Sequence, residues 1–248
     1  MLLLFCCVGF IIKIYAQQER GNNCTEVYNY VYQMKSWQDC LDSAIEKDST
    51  NAVLWQKKAM PYFKMQKYSI GMPYLDKAVA LDEQRWLPYR GFIKCIFIKK
   101  YEDAIEDFER CIGLFGNGNE MDHTYRFYIG LSYLQLNDFE KAESVFQDDI
   151  WEQEKGMGSA HYLDLFYLGI AKFELGKWEE AIVAFDKSLV QYPQFSEVLF
   201  YKSICLFYIG QAEKGIELNK QAQEYAAKGY TINEDNVAYE RYPYQLIW

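Results

Sequence analysis

Apolar residues in this chain return at three- and four-residue steps over short stretches, and the stretches come in pairs. From Leu165 to Leu175 almost every position is apolar, with Gly169 and Ala171 small enough for close approach; after Leu175-Gly176-Lys177 the apolar places resume as Ala181, Ile182, Phe185 and Leu189. Both stretches have a helical period. The glycine between them suits a helix C-terminus and a tight turn. The predicted unit is a helical hairpin.

The hairpin recurs. Gly130, Tyr133, Phe139, Ala142 and Phe146 are matched 39 residues later by Gly169, Lys172, Trp178, Ala181 and Phe185. A further 34 residues on, Ser203, Leu206, Ala212, Gly215 and Asn219 hold the same places more loosely, and 71 residues before the first set stand Ala59, Tyr62, Tyr68, Gly71 and Leu75. A period of this size marks an array of stacked supersecondary units.

At these residues the chain resembles the tetratricopeptide repeat, with its pattern W-x2-L-G-x2-Y, then A-x3-F, then P. Tyr162 to Phe195 carries Leu165, Leu168, Gly169, Ala181, Phe185 and Pro193 in register, with Lys172 in place of the tyrosine; His123 to about Glu154 carries Ile129, Gly130, Tyr133, Ala142 and Phe146. Ala52 to Arg85 has Trp55, Ala59, Tyr62, Leu75 and Ala78, but puts Gly71 where alanine is usual and Pro73 early in its second helix, so that helix is expected to start near the proline or to bend. Around Arg85 to Asn119 the second helix is clear in Tyr101, Ala104, Phe108 and Leu114, while Gly91 lies one residue off the spacing. Ser196 to Lys228 is a degenerate copy, and Thr25 to Asn51 is too short for a full one. The resemblance implies an all-α fold, a right-handed superhelical solenoid of antiparallel helical hairpins. The expected division is a signal peptide at 1–16, a partial repeat at 25–51, about five repeats over 52–228 and a capping tail at 229–248.

Composition fits such an array. Half of the 248 residues are apolar and only 5 are proline, enough to bury a series of local interfaces without breaking the helices. The 35 acidic against 26 basic residues give a net charge of -9, which argues against nucleic acid as a partner. The acidic residues, such as Glu102, Asp103, Glu106, Asp107, Glu179 and Glu180, are spread over helix surfaces and pair into no catalytic dyad.

The N-terminus differs. Leu2 to Ile12 is an apolar run, followed by Lys13-Ile14-Tyr15-Ala16 and then polar Gln17-Gln18-Glu19-Arg20; it resembles a secretory signal peptide with Ala16 as the last residue removed, and it is too short to span a bilayer comfortably. The expectation is an exported protein of a bacterial periplasm or cell envelope, with a membrane partner only if that segment stays uncleaved. Export would leave Cys24, Cys40, Cys95, Cys111 and Cys205, an odd set without CxxC spacing. Cys24 precedes the first helix, and Cys24 with Cys40 is the one pairing to test.

Chemistry is weighed by elimination. His123 and His161 are the only histidines, near the starts of two first helices, with no HExxH and no neighbouring histidine in sequence. Gly156-Met157-Gly158 and Gly116-Asn117-Gly118 precede no Lys-Ser or Lys-Thr, and Ser132, Ser203 and Cys205 have no base beside them. No enzyme, cofactor or metal is expected. The resemblance implies a scaffold that holds a peptide or protein in a concave groove. First-helix positions that face the groove in the family fall on Phe127, Leu131 and Leu134, then Phe166, Ile170 and Phe173, then Phe200, Ile204 and Phe207. They are apolar three times over, so the expected partner carries an apolar segment. The tail, Tyr239 to Trp248, is the chain's own candidate to shield the C-terminal end of that stripe, leaving Phe127 and Phe166 for the partner. A carrier for a glycan or acyl chain, and a structural part of an envelope assembly, stay open beside this reading.

Overall fold

The computed structural model describes residues 24–248, so the expected signal segment lies outside the described residues. The fold class is the expected one, all-α and built of consecutive antiparallel helical hairpins. The chain divides into two compact units, one ending at Ile93 and the other beginning at Lys94.

In the first unit, α1 (Met34–Lys47), α2 (Ala52–Lys64), α3 (Tyr68–Leu81) and α4 (Glu83–Phe92) each pack on the next in sequence. Asn51 starts α2 by accepting a hydrogen bond from the Val53 amide, and Asp82 starts α4 by accepting one from Arg85. Trp37, Leu41, Ile45 and Leu54 form a core with Cys24, which is joined to Cys40 by a disulfide. Pro73 does not mark the start of its helix. It lies inside α3, as Pro61 does in α2 and Pro88 in α4, and each gives up one backbone donor.

Residues Ile93–Ile98 wind as a π-helix. This accounts for Gly91 standing one residue off the repeat spacing: one wider turn absorbs an extra residue without breaking the helix.

The second unit holds α5 (Tyr101–Phe115), α6 (Tyr125–Gln135), α7 (Phe139–Met157), α8 (Tyr162–Glu174), α9 (Trp178–Gln191), α10 (Ser196–Tyr208) and α11 (Ala212–Ala226), again packed in order. Between α5 and α6 lies an antiparallel pair of two-residue strands, β1 (Asn119–Glu120) and β2 (His123–Thr124). Lys172, where the repeat pattern expects tyrosine, is buried and bonded to Glu143 at 2.7 Å, as is Lys177 at 2.6 Å. Burial alone would push the Glu143 carboxyl up, but the two lysines outweigh it and hold it below its ordinary range.

One backbone feature recurs through both units. The residue ending each hairpin turn has positive φ, at Gln66, Lys99, Asn137, Gly176 and Gly210. No described helix is long and apolar enough to cross a membrane.

Candidate functional site

A ladder of three tyrosines carries the most distinctive surface of the second unit. Tyr128, Tyr167 and Tyr201 lie on the first helices α6, α8 and α10, separated by the same 39 and 34 residues as the repeats. Helices in register repeat their outward directions, so residues at that offset line one face. Against this face lies the chain's own C-terminal segment. The Tyr167 hydroxyl donates to the Pro243 carbonyl at 2.8 Å, and the Tyr201 hydroxyl to the Tyr244 carbonyl at 3.4 Å. Lys99 donates to the Arg241 carbonyl at 3.2 Å, and the Tyr244 hydroxyl reaches back to Glu174 at 2.9 Å. Tyr242 is buried beside His123, and Trp248 meets Phe200 edge-on at 5.9 Å.

Three of these bonds go from side chains of the repeats to main-chain carbonyls of the tail. Such bonds hold a segment by its backbone, whatever its side chains. The tyrosine hydroxyls so used are dry, and burial pushes those of Tyr167 and Tyr201 well above the ordinary tyrosine range.

The tail also covers Glu197 in the first turn of α10. It is completely buried, and no hydrogen bond reaches either carboxylate oxygen. Burial pushes its carboxyl up to about 7; the backbone amides of Glu197, Ile232 and Leu246 and the Trp248 side chain lie near enough to pull it back only weakly, without bonding to it. A tail that leaves a carboxylate dry and unpartnered is seated at a cost.

The nine residues expected to line an open apolar stripe do not form one. Phe127, Leu131, Leu134, Phe166 and Ile170 are fully buried, Phe173, Phe200 and Ile204 are half-buried, and only Phe207 is exposed. Phe127 packs against Phe146 of α7, and Phe166 against Phe185 of α9. They fill the hairpin interiors. The tail-bearing face is one residue further along, at Tyr128 and Tyr167, about 100° around the helix. Apolar side chains repeated at fixed places in a stacked array are first of all its core. The regular tyrosine spacing was the signal that could have found the face.

The two histidines, apart in sequence, come together in space, with ring centroids 5.2 Å apart. His123 on β2 is buried, stacks on Phe127 at 3.9 Å and sets its Nε2 3.2 Å from Glu234. His161 caps α8, its side chain accepting from the Leu163 amide, and Asp164 follows in the first turn of that helix. One ligand atom from each of His123, His161 and Asp164 lies within 4.8 Å of the others. Burial, then the neighbouring His123, push the His161 imidazole down to about 4. Beneath Asp164 sits Asp149, which accepts from Thr124 at 2.6 Å, Asn117 at 3.0 Å and Gln153 at 3.0 Å.

Comparison with known proteins bears on the repeats. Family models described as "Tetratricopeptide repeat" match residues 99–154 and 165–194. RNA polymerase II-associated protein 3 of Xenopus laevis is 24% identical over 189 residues, 71% of this chain and 27% of that protein. The Xenopus tropicalis protein of the same name is likewise 24% identical, over 71% of this chain and 28% of its own length. The chain thus spans little more than a quarter of these relatives. Among solved structures, PilW, described as a type IV pilus biogenesis factor, superposes with a TM-score of 0.66 at 14% identity, covering 88% of this chain and 96% of PilW. A tetratricopeptide repeat protein from Parabacteroides merdae superposes at 0.66 with 15% identity, over 85% and 80% of the two chains. YrrB, described as having an unusual peptide-binding site, superposes at 0.55 with 18% identity, over 75% and 92%.

Proposed function

Since the chain belongs to the tetratricopeptide-repeat family, we propose that it is a non-catalytic scaffold whose second unit takes up an extended segment of a partner protein along the Tyr167–Tyr201 face. The carrying observation is the way this face holds the chain's own tail, by hydroxyl bonds to the Pro243 and Tyr244 carbonyls. Backbone recognition of that kind suits an extended peptide, with flanking aromatic contacts setting preference. The partner segment is apolar and aromatic, like Tyr242-Pro243-Tyr244-Gln245-Leu246-Ile247-Trp248, and it takes the place of the tail. The tail is then a tethered competitor, whose high effective concentration sets the affinity a partner must exceed.

A chain carrying a protease site after Lys228, cut only after folding, tests this. A fluorescent peptide of residues 229–248 should exchange into the nicked protein and bind the intact one far more weakly, and Tyr167→Phe should weaken the uptake. A nicked chain that holds its segment against a large excess of peptide, or takes up no peptide after losing it, would rule the reading out.

We also take the protein to be exported, to a bacterial periplasm or cell envelope. The Cys24–Cys40 disulfide supports an oxidising compartment, and the apolar run Leu2 to Ile12 supports a cleaved leader. N-terminal sequencing of the native protein should begin at Gln17; a native chain retaining Met1 would refute it.

A further inference from the structure

We propose that His123, His161 and Asp164 form a site for one divalent transition-metal ion, Zn²⁺ foremost, with Glu234 beside it against His123. The geometry begins with the histidines. They are the only two in the chain, and they stand 38 residues apart, nearly one repeat, which brings both to the same end of consecutive hairpins. Their candidate ligand atoms and one from Asp164 already lie within 4.8 Å of one another. Tetrahedral zinc with nitrogen and oxygen ligands at about 2.0–2.2 Å needs separations of about 3.4 Å. A shift of little more than 1 Å closes the gap, and His161, whose side chain is 40% exposed, has the freedom to make it.

A second observation points to a missing partner. Asp164 is 1% exposed, yet its Oδ1 makes no hydrogen bond, and its Oδ2 is 3.8 Å from His161 Nδ1, too far for one. Buried carboxylate oxygens without partners are rare in folded proteins. Beside Asp164 lie the Gln153 side chain and the like-charged Asp149 carboxylate, which is itself engaged by Thr124, Asn117 and Gln153. A cation beside Asp164 resolves both difficulties.

The charges and donor types select the ion. Two neutral imidazoles and the Asp164 carboxylate would ligate the ion, and the Glu234 carboxylate, 3.2 Å from His123 Nε2, adds a second negative charge beside them. Imidazole suits zinc, copper and nickel, whereas calcium and magnesium demand oxygen sets. The ligands come from β2 and the start of α8, and His123 also contacts Glu234 of the segment that leads into the tail, so a bound ion that moves His123 would link metal occupancy to the seating of that segment.

The test is titration of the untagged full chain with Zn²⁺ alone, followed by calorimetry, and with Co²⁺, followed by its visible absorption. One saturable Zn²⁺ site is expected, with a Co²⁺ spectrum of tetrahedral type and a thermal midpoint that rises with added Zn²⁺. His161→Ala and Asp164→Asn should each weaken binding at least about tenfold, since even removal of residues behind the ligands has that effect. Circular dichroism confirms that the variants fold; should Asp164→Asn unfold, the more exposed His161→Ala decides. Buried Cys95, its thiol pushed up to about 12 by burial, offers no competing thiolate. Absence of saturable uptake by the wild type overturns the site and leaves a protonated Asp164 sharing its proton with Asp149. Uptake undiminished by His161→Ala overturns it equally.

Discussion

The hairpins α2–α3 in the first unit and α8–α9 in the second solve one packing problem in opposite ways. In α8–α9 the glycine is on the first helix: a Cβ built on Gly169 would lie 2.4 Å from the ring of Phe185, which reaches across from the second helix. In α2–α3 the glycine is on the second helix: a Cβ on Gly71 would lie 2.6 Å from Phe63 of the first. Gly130 with Phe146 follows the former arrangement, whereas Gly215 meets the Ser203 carbonyl first and the exposed Phe207 ring only at 3.1 Å. The repeat therefore conserves a volume shared between two helices and leaves open which helix supplies the ring. Interiors tolerate such exchanges when total volume is kept.

The strongest way to break this comparison is to remove the rings. Phe185→Ala and Phe63→Ala should each destabilise by about 3–5 kcal/mol, because both rings are almost wholly buried and each leaves a cavity. Denaturant unfolding measures it, and a large loss at Phe185 with almost none at Phe63 would mean that the two hairpins are not equivalent. Next come the small residues. Gly169→Leu and Ala181→Leu should each cost at least about 1–3 kcal/mol by overpacking, whereas exposed Glu179→Ala should stay within about 0.5 kcal/mol. Equal midpoints for all three would contradict the close approach of α8 and α9.

A second contrast concerns buried charge. Lys58 in the first unit is bonded to Asp42 at 2.5 Å, while Glu197 in the second has no partner. A carboxyl raised to about 7 in the folded chain, from an ordinary value of 4.5, costs stability above pH 7, and that cost disappears as the pH falls toward 4.5. Glu197→Gln should therefore stabilise the protein by on the order of 1–3 kcal/mol at pH 8 and by almost nothing at pH 4.5. Thermal midpoints of both proteins at the two pH values check this; a gain independent of pH would mean that Glu197 is not the titrating group. The smallest effect belongs to the turns. Gln66 holds the left-handed conformation that Gly176 and Gly210 adopt without strain, so Gln66→Gly should stabilise by up to about 1 kcal/mol, and Gly176→Ala should destabilise by about 1–2 kcal/mol. Opposite signs in urea midpoints support the equivalence of the turns.

The hairpins were legible because their cores depend on apolar period and on small residues at fixed offsets, as at Gly130, Ala142, Gly169 and Ala181. A hairpin turn was legible at Gly176, where glycine advertises positive φ; Gln66 and Lys99 adopt it with residues that give no sign. The π-helix appeared as a one-residue slip at Gly91, without its cause. The tail-bearing face lies one residue out of phase with the repeated phenylalanines, because an apolar period reports the core and says nothing of the tyrosines beside it that hold the tail. The histidine cluster was hidden by distance along the chain: no local spacing reports that β2, the start of α8 and Glu234 converge.

The disulfide has a consequence for the order in which the first unit comes apart. In a stack held by nearest neighbours, terminal helices fray first, since each lacks a neighbour on one side. The Cys24–Cys40 link, 16 residues apart in sequence, ties the segment before α1 to that helix and removes about 3 kcal/mol of denatured-state freedom. Oxidised, α1 is held closed at the N-terminal end of the unit; reduced, that end is free to fray. Amide exchange in α1, slow in the oxidised chain and fast after reduction, would record that change.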